Sequence, residues 1–232
     1  MTTAHLYYFP LSDLPEGFQE TDLIGVLDER ELARFHDTKS KNVQQQFVLS
    51  RWIVKHGLSR MTGIPAQSHH FSYQESGKPF VDLQQPVHFS IAHCPTSVAV
   101  VVSDVPVGVD VENNKRKGEP WEQLGRFFYP ELDARMKAHP EYLHRDFFYR
   151  HWTGMESLVK MMGSKVAIER RTFAKGFDIP LDAEYVDGGN SHFYFHLIDK
   201  HEHLTVASAQ PLDKLACERV VLVPEGIKTK PI

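Results

Sequence analysis

The sequence has little cysteine and no long hydrophobic run. Its 232 residues include only two cysteines, Cys94 and Cys217, which are too few for a disulfide framework. No stretch of about 18 or more apolar residues occurs, which excludes a transmembrane helix. Residues 1–5 lack the basic and then apolar pattern of a signal peptide. We therefore expect a protein of the reducing cytoplasm that has no membrane-spanning segment.

The chain also lacks an excess of positive charge. The chain carries 26 Lys and Arg against 30 Asp and Glu, a formal net charge of -4. This balance argues against a global electrostatic attraction to nucleic acid or to an anionic membrane. One basic cluster, Lys115-Arg116-Lys117, is either a solvated loop or a contact for a phosphate-bearing ligand or an acidic protein partner. The fourteen histidines are scattered, and no Cys/His quartet with the spacing of a structural zinc site accompanies them.

The chain alternates between helical and strand patterns. Helices are predicted at residues 28–35, 41–61, 121–128, 131–138 and 141–162, and strands at 5–9, 87–93, 97–102, 107–112, 172–179, 192–198, 204–209 and 219–223. Split near Asp104, both halves contain helices followed by antiparallel strands, although no clear residue-level repeat relates them. The inventory predicts an α+β fold with two similar halves, residues 1–104 and 105–232.

Two segments concentrate charged side chains on defined faces. In the strand predicted at residues 107–112, Asp110 and Glu112 share one face, because alternate side chains of a strand point to opposite sides. In the last predicted helix, Glu156 and Lys160 are four residues apart and lie one above the other. Three carboxylates and a lysine could hold a divalent cation and a phosphate. Taken separately, the first pair is better explained as an exposed strand face and the second as a surface ion pair of a helix.

Four segments in order carry a family resemblance: Gly77-Lys78-Pro79, Phe89-Ser90-Ile91-Ala92-His93, Gly108-Val109-Asp110-Val111-Glu112, and the helix from Trp152 to Lys160. Together they resemble the motif set of the Sfp-type 4'-phosphopantetheinyl transferases, over roughly residues 35–160. The resemblance implies a pseudo-twofold monomer of two similar α/β halves, each a small antiparallel sheet packed with helices. It also implies coenzyme A in the cleft between the halves. Such enzymes transfer the phosphopantetheine arm of coenzyme A to a serine of an acyl or peptidyl carrier protein and release adenosine 3',5'-bisphosphate.

The resemblance also implies residue roles. It assigns Mg²⁺ ligands at Asp110, Glu112 and Glu156, catalytic groups at Glu156 and Lys160, and coenzyme A contacts at Arg51, Gly77, Lys78, Pro79, His93 and Lys160. Magnesium prefers oxygen ligands, which suits the three carboxylates, and it would clamp the pyrophosphate. A metal-bound carboxylate is a weak base, so a water held by Glu156 is favoured over direct proton transfer, which stays open. Taken alone, His93 is better explained as a core histidine at a strand end, and Arg51 as a surface salt-bridge partner.

Two departures from the family pattern leave other functions open. Met155 stands where the commonest family helix has lysine, and Ala92 lacks a hydroxyl that could contact the nucleotide. Loss of the cation motivates an alternative, a non-catalytic homologue that binds coenzyme A or a carrier protein. The carboxylates alone motivate another, a Mg²⁺-dependent nucleotide pyrophosphatase. The sequence does not distinguish among fatty-acid, polyketide and nonribosomal-peptide carriers.

Overall fold

The computed structural model describes residues 1–115, 121–123, 130–165, 179–223 and 226–232. Its helices are α1 (Glu29–Asp37), α2 (Lys41–Thr62), α3 (Pro130–Lys137) and α4 (His144–Met162). Its strands are β1 (Thr3–Pro10), β2 (Ser72–Tyr73), β3 (Pro79–Phe80), β4 (His88–Cys94), β5 (Ser97–Ser103), β6 (Val107–Asn113), β7 (Tyr185–Asp187), β8 (His192–Ile198), β9 (Glu202–Ser208), β10 (Lys214–Val223) and β11 (Gly226–Pro231). The mixture of short sheets and helices confirms the predicted α+β class.

Two sheets and a small hairpin organise these strands. The first sheet has the order β11-β10-β1-β5-β4, the second has the order β6-β9-β8-β7, and β2 pairs only with β3. All pairs in the second sheet are antiparallel. In the first sheet, β1 is antiparallel to β5 but parallel to β10. Strand β10 joins this sheet after the chain has passed through the second one. The first sheet is therefore mixed and not purely antiparallel.

The two sheets do not follow the predicted boundary at Asp104 throughout. Strands β10 and β11 come after that residue, yet they pair within the first sheet. The physical reason is that β1 has a second edge, whose backbone groups need partners, and β10 pairs with that edge from Thr3 to Tyr8. The division into two halves stays a prediction, with the last strands assigned to the first sheet.

Most predicted elements are found, with shifts at their ends. Residues 72–80, for which no helix or strand was predicted, form the β2-β3 hairpin, and the helix predicted from residue 141 begins as a 3₁₀ turn, Glu141–Leu143. Of the helix predicted at 121–128, residues 121–123 are helical and the rest lie outside the described residues. The strand predicted at 172–179 also lies outside them, except for its last residue. None of the described helices is long and apolar enough to cross a membrane.

In the part of the chain that the structure describes, three apolar clusters form the core. Helix α2 packs on one face of the first sheet, where its residues Val48, Leu49 and Ile53 are fully buried. Helix α4 packs on the second sheet. Between the sheets, Val109 and Val111 of β6 are buried with residues of β1 and β5. The valine face of β6 therefore points at the first sheet, as the alternation predicted, and its other face is left for α4.

Candidate active site

The site is built where α4 crosses β6. Gly108 shares a strand face with Asp110 and Glu112, and a Cβ atom added there would lie 2.0 Å from the Ser157 carbonyl oxygen and 2.4 Å from the Met161 nitrogen. Only a glycine lets the helix backbone approach the strand this closely. The acidic residues that follow in β6 are thereby brought against the last turns of α4.

Asp110 and Lys160 form an ion pair at this crossing. The Lys160 Nζ donates to Asp110 Oδ1 at 2.6 Å, and Asp110 is 5% exposed. Its second oxygen, Oδ2, is buried and accepts no hydrogen bond from the residues that the structure describes. A buried carboxylate oxygen without a donor is costly, so it is a ready acceptor for an additional positive group.

Glu156 lies within electrostatic range of this pair. Burial raises the pKa of the Glu156 carboxyl, the negative charge of Asp110 raises it further, and Lys160 lowers it in part. Two carboxylates that disfavour each other's charge are stabilised by a shared cation. Glu112, half-buried, lies two residues beyond Asp110 on the same face of β6.

The predicted metal ligands meet only in part. Among the described residues, no group of three His, Cys, Asp or Glu side chains is arranged to hold a metal ion. The Asp110 carboxylate instead contacts Lys160. The donor set still fits Mg²⁺, because Asp110 Oδ2 is buried without a donor and Glu156 would be relieved by a cation. The triad of Asp110, Glu112 and Glu156 stays a prediction.

A cavity of about 240 Å³ lies on the other side of Lys160. Its walls are the β2-β3 turn, the edge of β4 and the C-terminal end of α4. The predicted coenzyme A residues Gly77, Lys78, Pro79 and Lys160 all line it. Gly77 has a φ of 88°, a conformation that favours glycine in this turn. The structure thus brings four of the six predicted contacts to one cavity.

His93 lies at the end of β4 and borders a different cavity, of about 510 Å³. Glu112 and the amides of Asn42, Gln45 and Gln46 line the same cavity. Desolvation lowers the pKa of His93, and the positive charge of Lys160 lowers it further. The imidazole is therefore within electrostatic range of the Asp110–Lys160 pair, although it does not line the cavity of the β2-β3 turn.

Arg51 is held away from both cavities. Its Nε lies 2.9 Å from Glu31 Oε1, and its guanidinium packs over the rings of Phe47 and Phe71. The residue is 7% exposed and is not among the described residues that line either cavity. Its predicted contact with coenzyme A stays a prediction, and its observed contacts are with the core around α2.

The sequence is similar to known proteins of one family. A model of the 4'-phosphopantetheinyl transferase superfamily matches residues 106–217, a range that includes β6 and α4. A 4'-phosphopantetheinyl transferase from Bacillus subtilis is 30% identical over 154 residues, which are 65% of this chain and 62% of that protein. Over these residues the chain is similar to the 4'-phosphopantetheinyl transferase superfamily.

Further relatives are also 4'-phosphopantetheinyl transferases. The transferase gsp of Aneurinibacillus migulanus is 26% identical over 191 residues, covering 77% of this chain and 74% of that protein. The transferase Sfp of Bacillus subtilis (strain 168) is 30% identical over 131 residues, covering 56% and 53%. The predicted Sfp-type family is confirmed. The alignments with the first relative and with Sfp span less than two thirds of those proteins' lengths.

Both departures from the transferase pattern prove to be buried. Met155 is fully buried in the apolar cluster beneath α4, and Ala92 is buried in the layer between the two sheets. Ser90 is a contact that the sequence did not reveal. Its Oγ accepts a hydrogen bond from the Val109 nitrogen at 3.1 Å and joins the edge strands β4 and β6. Of the basic cluster at 115–117, only Lys115 lies within the described residues.

Proposed function

We propose that the protein transfers the 4'-phosphopantetheine group of coenzyme A to a serine of an apo acyl or peptidyl carrier protein. The observation that carries the proposal is the position of Lys160, which lines the predicted nucleotide cavity and is paired with Asp110 beside Glu156. A pyrophosphate located here would meet the Lys160 ammonium on one side and the carboxylates of Asp110 and Glu156 on the other. The family membership supports the same reaction.

The chemistry is a displacement at the β-phosphorus of coenzyme A. The serine oxygen forms a bond to this phosphorus, the bond to the bridging oxygen breaks, and adenosine 3',5'-bisphosphate leaves with the electron pair. Glu156, or a water that it holds, takes the serine proton. Lys160 compensates the charge that develops on the leaving phosphate.

Mg²⁺ is part of the proposal as the metal that Asp110, Glu112 and Glu156 would hold. When bound, it supplies positive charge to the phosphoryl oxygens. The chain's own contribution is to place hard oxygen donors on one face of β6 and on the adjoining turn of α4. Desolvation of Asp110 and Glu156 makes that region favourable for a cation and costly without one.

The buried position of Met155 bears on the non-catalytic alternative. That alternative rests on a lysine missing from the cleft, but the Met155 side chain lies in the core beneath α4. A lysine head group at this position would have to leave the core to reach a phosphate. The residue thus gives little reason to expect a homologue that has lost catalysis.

We also propose that the protein acts as a cytoplasmic monomer that binds no nucleic acid and no membrane. Both cysteines are free, which suits a reducing compartment. The cleft is formed by two sheets of one chain, so a second copy is not required to complete it. The net charge of -4 supports neither a nucleic acid nor an anionic membrane as partner.

The decisive experiment combines purified protein, Mg²⁺, coenzyme A and a panel of apo carrier proteins, and measures intact mass. We expect a gain of one phosphopantetheine group on at least one carrier, lost in Asp110→Asn and on chelation. No gain on any carrier that a known transferase modifies would refute the proposal. Cleavage of coenzyme A without a carrier would identify a pyrophosphatase, and binding without either reaction would identify the non-catalytic homologue.

A further inference from the structure

The C-terminal end of α4 is fastened to the β2-β3 hairpin by one side chain. Lys78 Nζ donates a hydrogen bond to the Met161 carbonyl oxygen at 2.5 Å. Met161 is in the last turn of α4, where backbone carbonyls have no partner within the helix. A cation at this end also interacts favourably with the helix dipole. The ammonium of Lys78 therefore caps the helix on which Lys160 stands.

The fit between hairpin and helix extends beyond this bond. Gly163 ends α4 with a φ of 64°, and a Cβ atom added there would lie 2.9 Å from Gln74 Oε1, 3.2 Å from Ser76 Oγ and 3.4 Å from Lys78 Cδ. The turn of the hairpin thus packs directly on the glycine that ends the helix. This contact closes the far side of the nucleotide cavity, which both segments line.

The hairpin is internally closed, so it can act as a rigid support. The Gln74 nitrogen donates to the Lys78 carbonyl at 3.0 Å, and the Gly77 nitrogen donates to the Gln74 carbonyl at 2.8 Å. The Lys78 ammonium is partly withdrawn from water, and this burial lowers the pKa of Lys78 to about 8. A group so withdrawn and already bonded to a carbonyl differs from an exposed lysine that is free to meet a phosphate.

Lys160 is held from two directions by this arrangement. It directly precedes Met161, and its own Nζ is bonded to Asp110 on β6. The hydrogen bond from Lys78 therefore fixes the same helical turn that the Asp110 pair fixes from the strand side. Loss of the Lys78 cation would release one of these two restraints and leave the alkyl lining of the cavity in place.

We propose that Lys78 is a positioning residue: its ammonium caps α4 and fixes Lys160, while only its alkyl stem lines the nucleotide cavity. The expected change in kcat rests on the proposed transferase function. The expected change in hydrogen exchange at the end of α4 does not. Together they distinguish two roles for one lysine. A direct phosphate contact would contribute mainly to coenzyme A binding, whereas a positioning role contributes mainly to turnover.

The test compares Lys78→Met, which keeps an alkyl stem, with Lys78→Arg, which keeps a donor. For Lys78→Met we expect kcat to fall about tenfold and KM for coenzyme A to change by less than about twofold. Hydrogen exchange of residues 159–164 should become faster, since the helix end has lost its cap. Lys78→Arg should restore the slow exchange and most of kcat. Circular dichroism checks that each variant is folded.

Lys137→Met is the matched control. Lys137 is also near the C-terminal end of a helix, but it is exposed and pairs with Asp133 of the same helix. It should leave kcat, KM and the exchange of residues 159–164 unchanged. The proposal is overturned if Lys78→Met raises KM about tenfold at constant kcat, or if exchange at residues 159–164 stays as in the wild type. Exchange is measured without carrier or coenzyme A, so a wild type that fails to transfer refutes the function and leaves this result intact.

Discussion

At the scale of single residues, the carboxylates of the site are arranged at the expense of stability. Asp110 is buried with one oxygen lacking a donor among the described residues, and Glu156 has a raised pKa caused first by burial and then by Asp110. Both features cost free energy in the protein without a cation. Strain of this kind is expected where residues are kept for binding or catalysis and not for packing.

Glu156→Gln should therefore stabilise the metal-free protein. Because the folded protein holds the Glu156 proton to higher pH than the unfolded chain does, stability falls as pH rises through the interval between the two pKa values. The substitution removes that loss. Near neutral pH we expect a gain of about 1 kcal/mol, or roughly 2–4 °C in Tm.

The measurement is thermal unfolding of both proteins from pH 4 to 8, with and without Mg²⁺. The advantage of Glu156→Gln should be smallest at the acid end and largest above the folded pKa of Glu156. We also expect Mg²⁺ to raise the Tm of the wild type more than that of the variant. A variant that is less stable at every pH would contradict the electrostatic account.

Met155→Lys should be destabilising and should not increase activity. The Met155 side chain is fully buried in the cluster beneath α4, so a lysine there brings an ammonium into apolar surroundings. We expect a loss of about 3–5 kcal/mol in the free energy of unfolding, measured with urea. Met155→Leu, which keeps the apolar volume, should stay close to the wild type. Higher activity in Met155→Lys would mean that this position reaches the cleft.

Sequence spacing was informative for residues on regular elements. The two-residue period placed Asp110 and Glu112 opposite Val109 and Val111, and the valines are indeed buried between the sheets. Spacing alone could not show that Arg51 is held by Glu31 of α1 and by Phe71 of a loop, whereas Phe47 is four residues before Arg51 on the same helix. A local sequence pattern does not predict side-chain contacts with residues that are distant along the chain.

At the scale of elements, the close packing of α4 on β6 depends on Gly108. A methyl group there would overlap backbone atoms of the helix, which cannot rotate away as a side chain can. In Gly108→Ala we expect a loss of about 3 kcal/mol or more in the free energy of unfolding. Displacement of the helix should also lower kcat/KM roughly 100-fold, because Glu156 and Lys160 move with it.

Gly25→Ala provides the matched control for this prediction. A Cβ atom at Gly25 would meet no atom within 4 Å, and its backbone is not in the left-handed region. Its stability and kcat/KM should stay near the wild-type values. Chemical denaturation and steady-state kinetics compare the two variants. Equal effects of both substitutions would show that the close approach of α4 and β6 is not what the site requires.

The elements themselves were largely predictable, but their junctions were not. Glycine and proline positions indicated the turns, and the hydrophobic periods indicated β4, β5, β6 and the long helices. The hydrogen bond from the Val109 nitrogen to Ser90 joins two edge strands of different sheets. Nothing in either segment alone distinguishes that serine from one facing solvent.

At the scale of the whole molecule, the chain returns to its starting sheet. Glu202, a buried carboxylate at the start of β9, accepts hydrogen bonds from Tyr8 at 2.7 Å and Ser97 at 2.7 Å in the first sheet. It also accepts one from Asn113 of β6 at 3.3 Å. These bonds join the two sheets near His93 and Glu112, which border the cavity of about 510 Å³. The two halves are therefore linked by polar contacts as well as by the apolar layer between them.

The return of β10 and β11 to the first sheet predicts that the two halves do not fold independently. A fragment of residues 1–104 would leave the edge of β1 without the six partners from Lys214 to Arg219. The complementary fragment, residues 105–232, would carry β10 and β11 without the strand on which they pair. We expect both fragments to be largely unfolded or aggregated by circular dichroism, since unpaired edges favour association.

The intact chain should unfold in one cooperative transition, with coincident changes in far-ultraviolet circular dichroism and tryptophan fluorescence. Moving the cut to the β9–β10 connection gives a sharper comparison, because a separate peptide of residues 211–232 could then pair with β1 in trans. We expect that peptide to restore structure and coenzyme A binding to the fragment of residues 1–210. Independent folding of residues 105–232 would instead support two separate domains divided at Asp104. It would also mean that each half is stable by itself and does not need the pairing of β1 with β10.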